Sequence, residues 1–408
     1  MTQSPSSASE PHRRHVDQLP ALTSIRFFAA CHVVLMHYCQ RLGNPANIGF
    51  AVPQAETLAS VGYLVLQMFF VLSGFVLAWN YAMPDGQMKG TSRDFWTARV
   101  ARIYPAYLFS LLIALPVFLN AVSQGQSPSP AAPPLNNPAI VGGTVISTPL
   151  LIQGWFGLIS WNPVGWSLSA EAFFYASFPF VLKRVCRLSI KGLLIAAVAA
   201  YAISMLPAIV CVLVSSVPIA TAPWYPMNMH SMFEGALYCS PLLRFPEFFV
   251  GVALGRVARL VRQTGWRMPA WSDAAITVAI VPMVLATAGL PGPIMSRLFL
   301  PYFGLLVYSL AEQRGPVARI LSHPKLEYLG QISFSIYLLH DAILYGFFHL
   351  VRQFNAGWIL GWPSFVAMVV VVSLAASAAY KYIEVPGRPW VRRLLNRAAE
   401  PVLSPARP

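Results

Sequence analysis

Ten stretches of roughly 20 residues, almost wholly apolar and each closed by proline, glycine or charge, limit what this chain can fold into. They fall at approximately 20–41, 58–82, 99–120, 166–184, 190–215, 242–261, 272–289, 294–312, 327–350 and 360–383. A bilayer core about 30 Å thick is crossed by ~20 apolar residues in a helix. Such segments must satisfy their own backbone, so helices are the only open-chain solution. The fold class predicted is all-α, a polytopic membrane bundle of about ten transmembrane helices. Only 10% of the 408 residues are charged, against roughly 25% in an average soluble domain.

The placement of Lys and Arg sets the orientation. With the N-terminus inside, the inner connections hold Lys89, Arg93, Arg99 and Arg102, then Lys183, Arg184, Arg187 and Lys191, then Arg256, Arg259, Arg262 and Arg267. Arg314, Arg319 and Lys325 follow, and the tail carries Arg388, Arg392, Arg393 and Arg397. The outer side keeps little beyond Arg41, Arg244, Arg297 and Arg352. Both termini are therefore expected in the cytoplasm, and the net charge of +14 needs no nucleic-acid partner. Residues 1–18 read as a disordered cytoplasmic tail without the apolar region of a cleavable signal. Residues 19–390 form the membrane domain and 391–408 a basic cytoplasmic tail.

Five scattered cysteines, Cys31, Cys39, Cys186, Cys211 and Cys239, show neither metal-ligand spacing nor a disulfide framework. They are expected to pack between helices, and no metal is expected. The connection 121–163 has no charged residue and is expected to lie partly against the protein on the outer side. The second outer loop, 216–241, mixes Trp224, Tyr225, His230, Phe233 and Glu234; it suits either an interfacial aromatic belt or an acceptor cleft.

Ionisable groups inside a membrane are costly unless paired, and so mark function or a structural partner. The stretch RFFAACHVVLMHY places Arg26 and His37 eleven positions apart, almost three helical turns, on one face about 16 Å apart along the axis. His32 falls off that face and reads as a packing histidine. In RDFWTARVARIYP, Arg99 and Arg102 share a face at i, i+3, either as topology anchors or as two guanidinium forks for a phosphate-bearing ligand. Tyr104 and Pro105 fix the turn beside them. In NPVGWSLSAEAFFY, Ser167 and Glu171 share a face behind Trp166, and Glu171 needs a cationic partner. GQISFSIYLLHDAIL carries a polar stripe of Ser333, Tyr337, His340 and Asp341, with Ser335 beside it. Glu384 and Arg388 stand at the inner mouth as an expected structural ion pair.

Seven motifs together resemble the membrane acyltransferase-3 family of bacterial integral-membrane O-acyltransferases. They are LTSIRFFAACHVVLMH, MFFVLSGFVL, RVARIYP, GWSLSAEAFFY, RFPEFFVGVALG, SFSIYLLH and IEVPGR, in family order across 19–390. Pro20 and Ser24 depart from an acidic residue and a glycine common in relatives, and His32 occupies a usually apolar place. Transfer is expected not to rely on the hydrolase-like domain that some relatives append.

The resemblance implies a multi-pass protein of the bacterial cytoplasmic (inner) membrane. It would move an acyl group, commonly acetyl, from cytosolic acyl-CoA to a hydroxyl of a cell-envelope, exported or lipid-linked carbohydrate. Arg99, Arg102, Arg26 and Tyr104 would serve the acyl-CoA. His37 would act as general base, helped by Glu171, with an acyl-histidine as the alternative. Trp166, Ser167, Ser335, Tyr337 and His340 would meet the acceptor. A small lipophilic acceptor such as a macrolide is the second candidate. A secondary transporter would show paired broken helices in two related halves, a repeat this sequence lacks. The sequence bears on no oligomeric state.

Overall fold

The computed structural model describes residues 19–42, 62, 64–126, 134–157, 161–214, 238–287, 290 and 292–397. The 1–18 tail, most of the 216–241 loop and residues 398–408 lie outside them. Among the described residues every extended element is helical, and one isolated bridge joins Ala82 to Met88. The α-helices are α1 (Pro20–Leu42), α2 (Leu64–Tyr81), α3 (Ser92–Ser123), α4 (Pro138–Ser147), α5 (Trp166–Val185), α6 (Ile190–Val214) and α7 (Pro241–Gln263). They continue as α8 (Ser272–Val278), α9 (Ile280–Thr287), α10 (Gly292–Leu298), α11 (Leu300–Ala311), α12 (Pro316–Leu321), α13 (Pro324–Gln353), α14 (Trp362–Ala379) and α15 (Val385–Arg397).

Seven helical segments are long and apolar enough to cross a membrane by length and composition, fewer than the ten runs expected. Two further runs form full-length helices, α5 and α7, whose buried polar residues lower their hydropathy: Ser167 and Ser169 on one, Arg244, Glu247 and Arg256 on the other. The run 272–289 instead divides into α8 and α9. Pro282 has no N–H to return to the carbonyl four residues back, and the chain turns at Ala279 between the two helices.

The centre of the bundle is the α2–α7 contact. α2 is apolar all round and mostly buried, as a helix enclosed by others should be. Gly74 of α2 and Gly251 and Gly255 of α7 let the two backbones touch: a Cβ on Gly74 would overlap the Phe248 carbonyl, and one on Gly251 the Val71 carbonyl. Small residues at such spacing bring membrane helices together where no hydrophobic gain separates protein from lipid. Phe174 of α5 stacks on Phe248 at 4.7 Å. At the periphery, α6 turns Leu194, Ile195, Val198, Ile203 and Leu213 outward, and α14 does the same with Val366, Val370 and Leu374.

The helices α1 and α13 run side by side in the same direction. Gly330 lies against the Thr23 backbone near their N-termini, and Arg41 meets Asp341 a few turns on. Thr91 and Asp94 close the start of α3 with a reciprocal capping box, which satisfies orphan amides there. The described part of 121–163 folds back onto the bundle: Tyr107 donates to the Thr148 carbonyl (2.7 Å) and the Gln153 amide to the Gly165 carbonyl (3.0 Å).

Gly251→Leu should lower the thermal midpoint of the detergent-solubilised protein, since overpacking a closed contact costs about 1–3 kcal/mol. Gly142→Ala, with no atom within 4 Å of the new methyl group, should leave that midpoint in place. Equal midpoints would mean that α2 and α7 do not meet at this glycine face.

Candidate active site

A cavity of about 390 Å³ opens between α1, α2, α3, α5 and α13, a size within the ~300–1,000 Å³ of ligand pockets. Its polar lining comes from Thr23, Arg26, Ser73, Arg99, Arg102, Ser167, Glu171, Tyr175, Glu327, Gln331, Ser333 and Tyr337. Arg26, Arg99, Arg102, Ser167, Glu171 and Tyr337, scattered over four helices, are thus brought to one wall system.

Each arginine is held differently. Arg99 sits among the rings of Phe95, Tyr175 and Tyr81, at 5.7, 5.8 and 5.9 Å from their centroids, an arrangement that keeps a guanidinium in place by cation–π attraction. Arg102 lies 3.7 Å from Glu384, a fully buried carboxylate that also takes hydrogen bonds from Arg388 and from Ser335 (2.9 Å). Glu384 ends a π-helical turn, Tyr380–Glu384, between α14 and α15; such turns interrupt the regular ladder and re-aim side chains. The expected Glu384–Arg388 pair is present. Arg26 faces the cavity with no salt bridge among the described residues.

Glu171 accepts from Tyr175 and from Ser73 (3.3 Å), not from His37. The carboxylate beside His37 is Asp341, whose Oδ1 lies 3.3 Å from Nδ1 and also accepts from Arg41 at 2.5 Å. This corrects the expectation that Glu171 serves His37. The reason is topological: α1 packs on α13, so the residue after His340 is the one that reaches His37. The His340 ring stands edge-on to His37, 5.1 Å between centroids. Its Nδ1 lies 2.7 Å from the Tyr337 carbonyl, and its Nε2 is buried without a partner among the described residues.

Tyr337 donates to the Val164 carbonyl (3.0 Å) and shares a hydrogen bond with Ser167 (2.8 Å), so this pair forms the cavity's far wall. Ser335 points to Glu384, away from the cavity. Tyr104 packs edge-on against Tyr107 and is not among the cavity's lining residues. Trp166 lies under the Arg244 guanidinium, 5.8 Å to the ring centroid, and against Tyr238.

Two groups of charged residues escaped the sequence argument. Arg41, four residues after His37, and Asp341, directly after His340, were visible as neighbours of histidines but had no assigned partner. Arg244 and Arg297 converge on buried Glu247, with Arg244 Nη1 at 2.9 Å from Oε1. The i, i+3 spacing of Arg244 and Glu247 in RFPEFF was its only trace.

The profile of the acyltransferase-3 family, described as an acyltransferase domain, matches residues 19–378. The chain belongs to this family. It is 29% identical over 405 residues to Acyltransferase MdmB of Streptomyces mycarofaciens, covering 94% of each chain. It is also 27% identical over 200 residues to Nodulation protein 10 of Rhizobium leguminosarum bv. viciae, covering 47% of this chain and 50% of that one. No solved structure matches. The protein is an acyl-transferring enzyme with several membrane-spanning helices.

Removing the shared carboxylate should unsettle the acyltransferase away from its cavity. Glu247→Gln leaves two buried arginines facing each other, and losing one partner of a buried ion pair costs about 3–5 kcal/mol. The expected outcome is a sharply lower thermal midpoint and a poor yield of monodisperse protein on size-exclusion chromatography; a wild-type profile would show that the cluster is not held by charge.

Proposed function

We propose that this acyltransferase moves an acyl group, acetyl in the first instance, from cytosolic acyl-CoA to a hydroxyl of an envelope or exported carbohydrate at the outer face of the bacterial cytoplasmic membrane. The observation that carries this reading is the succession along α1 and α13: a cavity bearing Arg26, Arg99 and Arg102, then the His37–Asp341 pair immediately past its Tyr337 wall.

The fit of the donor rests on charge. The cavity gathers three arginines, Arg26, Arg99 and Arg102, and two carboxylates, Glu171 and Glu327, in its lining, and the Nε of Arg99 is buried without a hydrogen-bond partner among the described residues. Planar guanidinium forks match phosphate oxygens. Arg99 and Arg102 would hold the CoA phosphates at the inner mouth, with Arg26 guiding the thioester arm between Phe69, Phe334 and Leu66. Both termini then lie in the cytoplasm, in accord with the basic inner connections.

At the other end, Nδ1–H of His37 donates to Asp341 and leaves the lone pair on Nε2, the arrangement in which a carboxylate sets the tautomer and steadies the imidazolium. Nε2 takes the proton of the acceptor hydroxyl while its oxygen attacks the thioester carbonyl. As the tetrahedral intermediate collapses, the C–S bond breaks and the imidazolium returns the proton to the CoA thiolate. An ester and free CoA result, with no change in charge or redox state. Glu171, hydrogen-bonded to Tyr175 and Ser73, shapes the cavity wall.

Folded, membrane-inserted His37→Ala should lose about 10²–10⁴-fold in turnover, the usual worth of a positioned acid–base group, and Asp341→Asn should lose turnover with little change in the KM for acyl-CoA. Normal transfer by His37→Ala would refute the assignment. Charge-removing changes at Arg99 and Arg102 should instead raise the KM for acyl-CoA; unchanged kinetics would return these arginines to topology anchors. Mass spectrometry of glycans and extracted metabolites from a deletion strain and its parent would identify the acceptor.

A further inference from the structure

The chain stays helical past the end of its last membrane run, from Trp362 to Asn396. A helix rising about 1.5 Å per residue crosses a core of about 30 Å in ~20 residues. Counted from Trp362, that length ends at Tyr382, a ring 66% exposed and of the type that settles among lipid headgroups. Lys381 stands beside it, its Nζ 5.2 Å from the ring centroid. The π-helical turn Tyr380–Glu384 and α15 therefore fall at headgroup level, in direct continuation of α14, whose Val366, Val370 and Leu374 face outward.

At that level α15 presents two unlike sides. Residues 385–397 hold no acid. Arg388 and Arg392 share one face at i, i+4, and Trp390 and Leu394 share the opposite one. Arg392, Arg393, Trp390 and Leu394 are exposed, Trp390 by 59% and Leu394 by 45%. Asp94, the carboxylate that interacts with Arg392, already accepts from the Thr91 amide and hydroxyl in the cap of α3. Arg393 donates its Nε to the Pro389 carbonyl at 3.4 Å. Helices with a basic face and exposed Trp and Leu belong at the boundary of headgroups and acyl chains. One anionic lipid answers both sides, its phosphate meeting the arginines and its chains covering Trp390 and Leu394.

The inner side of the same helix is tied to the cavity. Gly387 lies on α3, where a Cβ would come within 2.6 Å of the Pro105 Cβ. Arg388 donates to Glu384 at 2.5 Å, and Glu384 lies 3.7 Å from Arg102 in the cavity wall. The seat of α15 thus bears on where Glu384 and Arg102 stand.

We propose that α15 is a docking surface for anionic phospholipid of the adjoining leaflet, held by Arg392, Arg393, Trp390 and Leu394, and that lipid seated there positions Arg102 for the donor through Gly387, Arg388 and Glu384. The positioning of Arg102 rests on the acyl-CoA reading above; the lipid surface does not.

The test uses the full-length protein in two arms. In the first, native mass spectrometry follows titration with phosphatidylglycerol, against phosphatidylcholine and inorganic phosphate. The wild type should retain phosphatidylglycerol in preference to phosphatidylcholine, and phosphate should not displace it. Arg392→Gln with Arg393→Gln should weaken retention about 25-fold, since each arginine near an anionic surface is worth about fivefold. Arg392→Lys with Arg393→Lys should keep it, because the charge persists. In the second arm, the KM for acetyl-CoA is read from its hydrolysis in nanodiscs. Replacing part of the phosphatidylcholine by phosphatidylglycerol should lower the wild-type KM about fivefold, the low end of coupling between two sites. An anionic surface by itself repels the CoA phosphates and raises KM. A fall therefore marks the helix, and the double glutamine variant should abolish it.

Equal retention of the two lipids, retention unchanged in the double glutamine variant, or displacement by inorganic phosphate would each overturn the lipid surface. So would a dimer, detected by light scattering, that Trp390→Ala with Leu394→Ala dissolves, because the face would then belong to a second copy of the chain. A wild-type KM that does not fall with phosphatidylglycerol would overturn the positioning of Arg102. Protein that uses no acetyl-CoA in either lipid would overturn the donor reading and that positioning with it, while the retention arm still decides the surface.

Discussion

The pairing of His37 and Arg41 with Asp341 is the constraint on which the rest of the arrangement depends. Three ionisable side chains at this depth in a membrane bundle are tolerable only in company. Here one carboxylate answers both cations, and it stands on the helix that must therefore lie parallel to α1. The contact that removes the electrostatic cost also fixes which face of α13 looks at His37.

The arginine-lined cavity is organised by different means. Arg99 is caged by aromatic faces and Arg102 is tethered by a buried glutamate at a π-helical turn. Neither device neutralises the guanidinium with an adjacent, fully committed carboxylate of its own. Both hold the group in place while leaving its positive field directed at the cavity. The glycine-mediated approach of α2 and α7 places Ser73 on the cavity wall, because a larger residue at Gly74 would push α2 away from the bundle. Backbone contact at glycine thus bears on the width of the cavity.

A third cluster, Arg244, Glu247 and Arg297, has no access to that cavity among the described residues. Its two cations and one anion bind α7 to α10 beneath Trp166 and Tyr238. Trp166, placed by its motif beside Ser167, belongs structurally to this cluster, whereas Ser167 belongs to the cavity. Neighbours in sequence on a helix point some 100° apart, and that rotation is enough to divide one motif between two jobs.

Hydropathy and charge along the chain determined that it is helical and that it crosses a membrane several times. These follow from local rules: the length of an apolar run and the identity of its flanks. The same local rules singled out Arg26, Arg99, Arg102, Glu171 and Tyr337, which the fold brings to one cavity. They could not say that Pro282 would break a run, since hydropathy averages over the missing hydrogen bond. Nor could they say which carboxylate meets His37. Glu171 and Asp341 are equally plausible partners until α1 is laid against α13, because Coulomb attraction depends on distance in space and the sequence records only distance along the chain. The tertiary structure alone decided for Asp341.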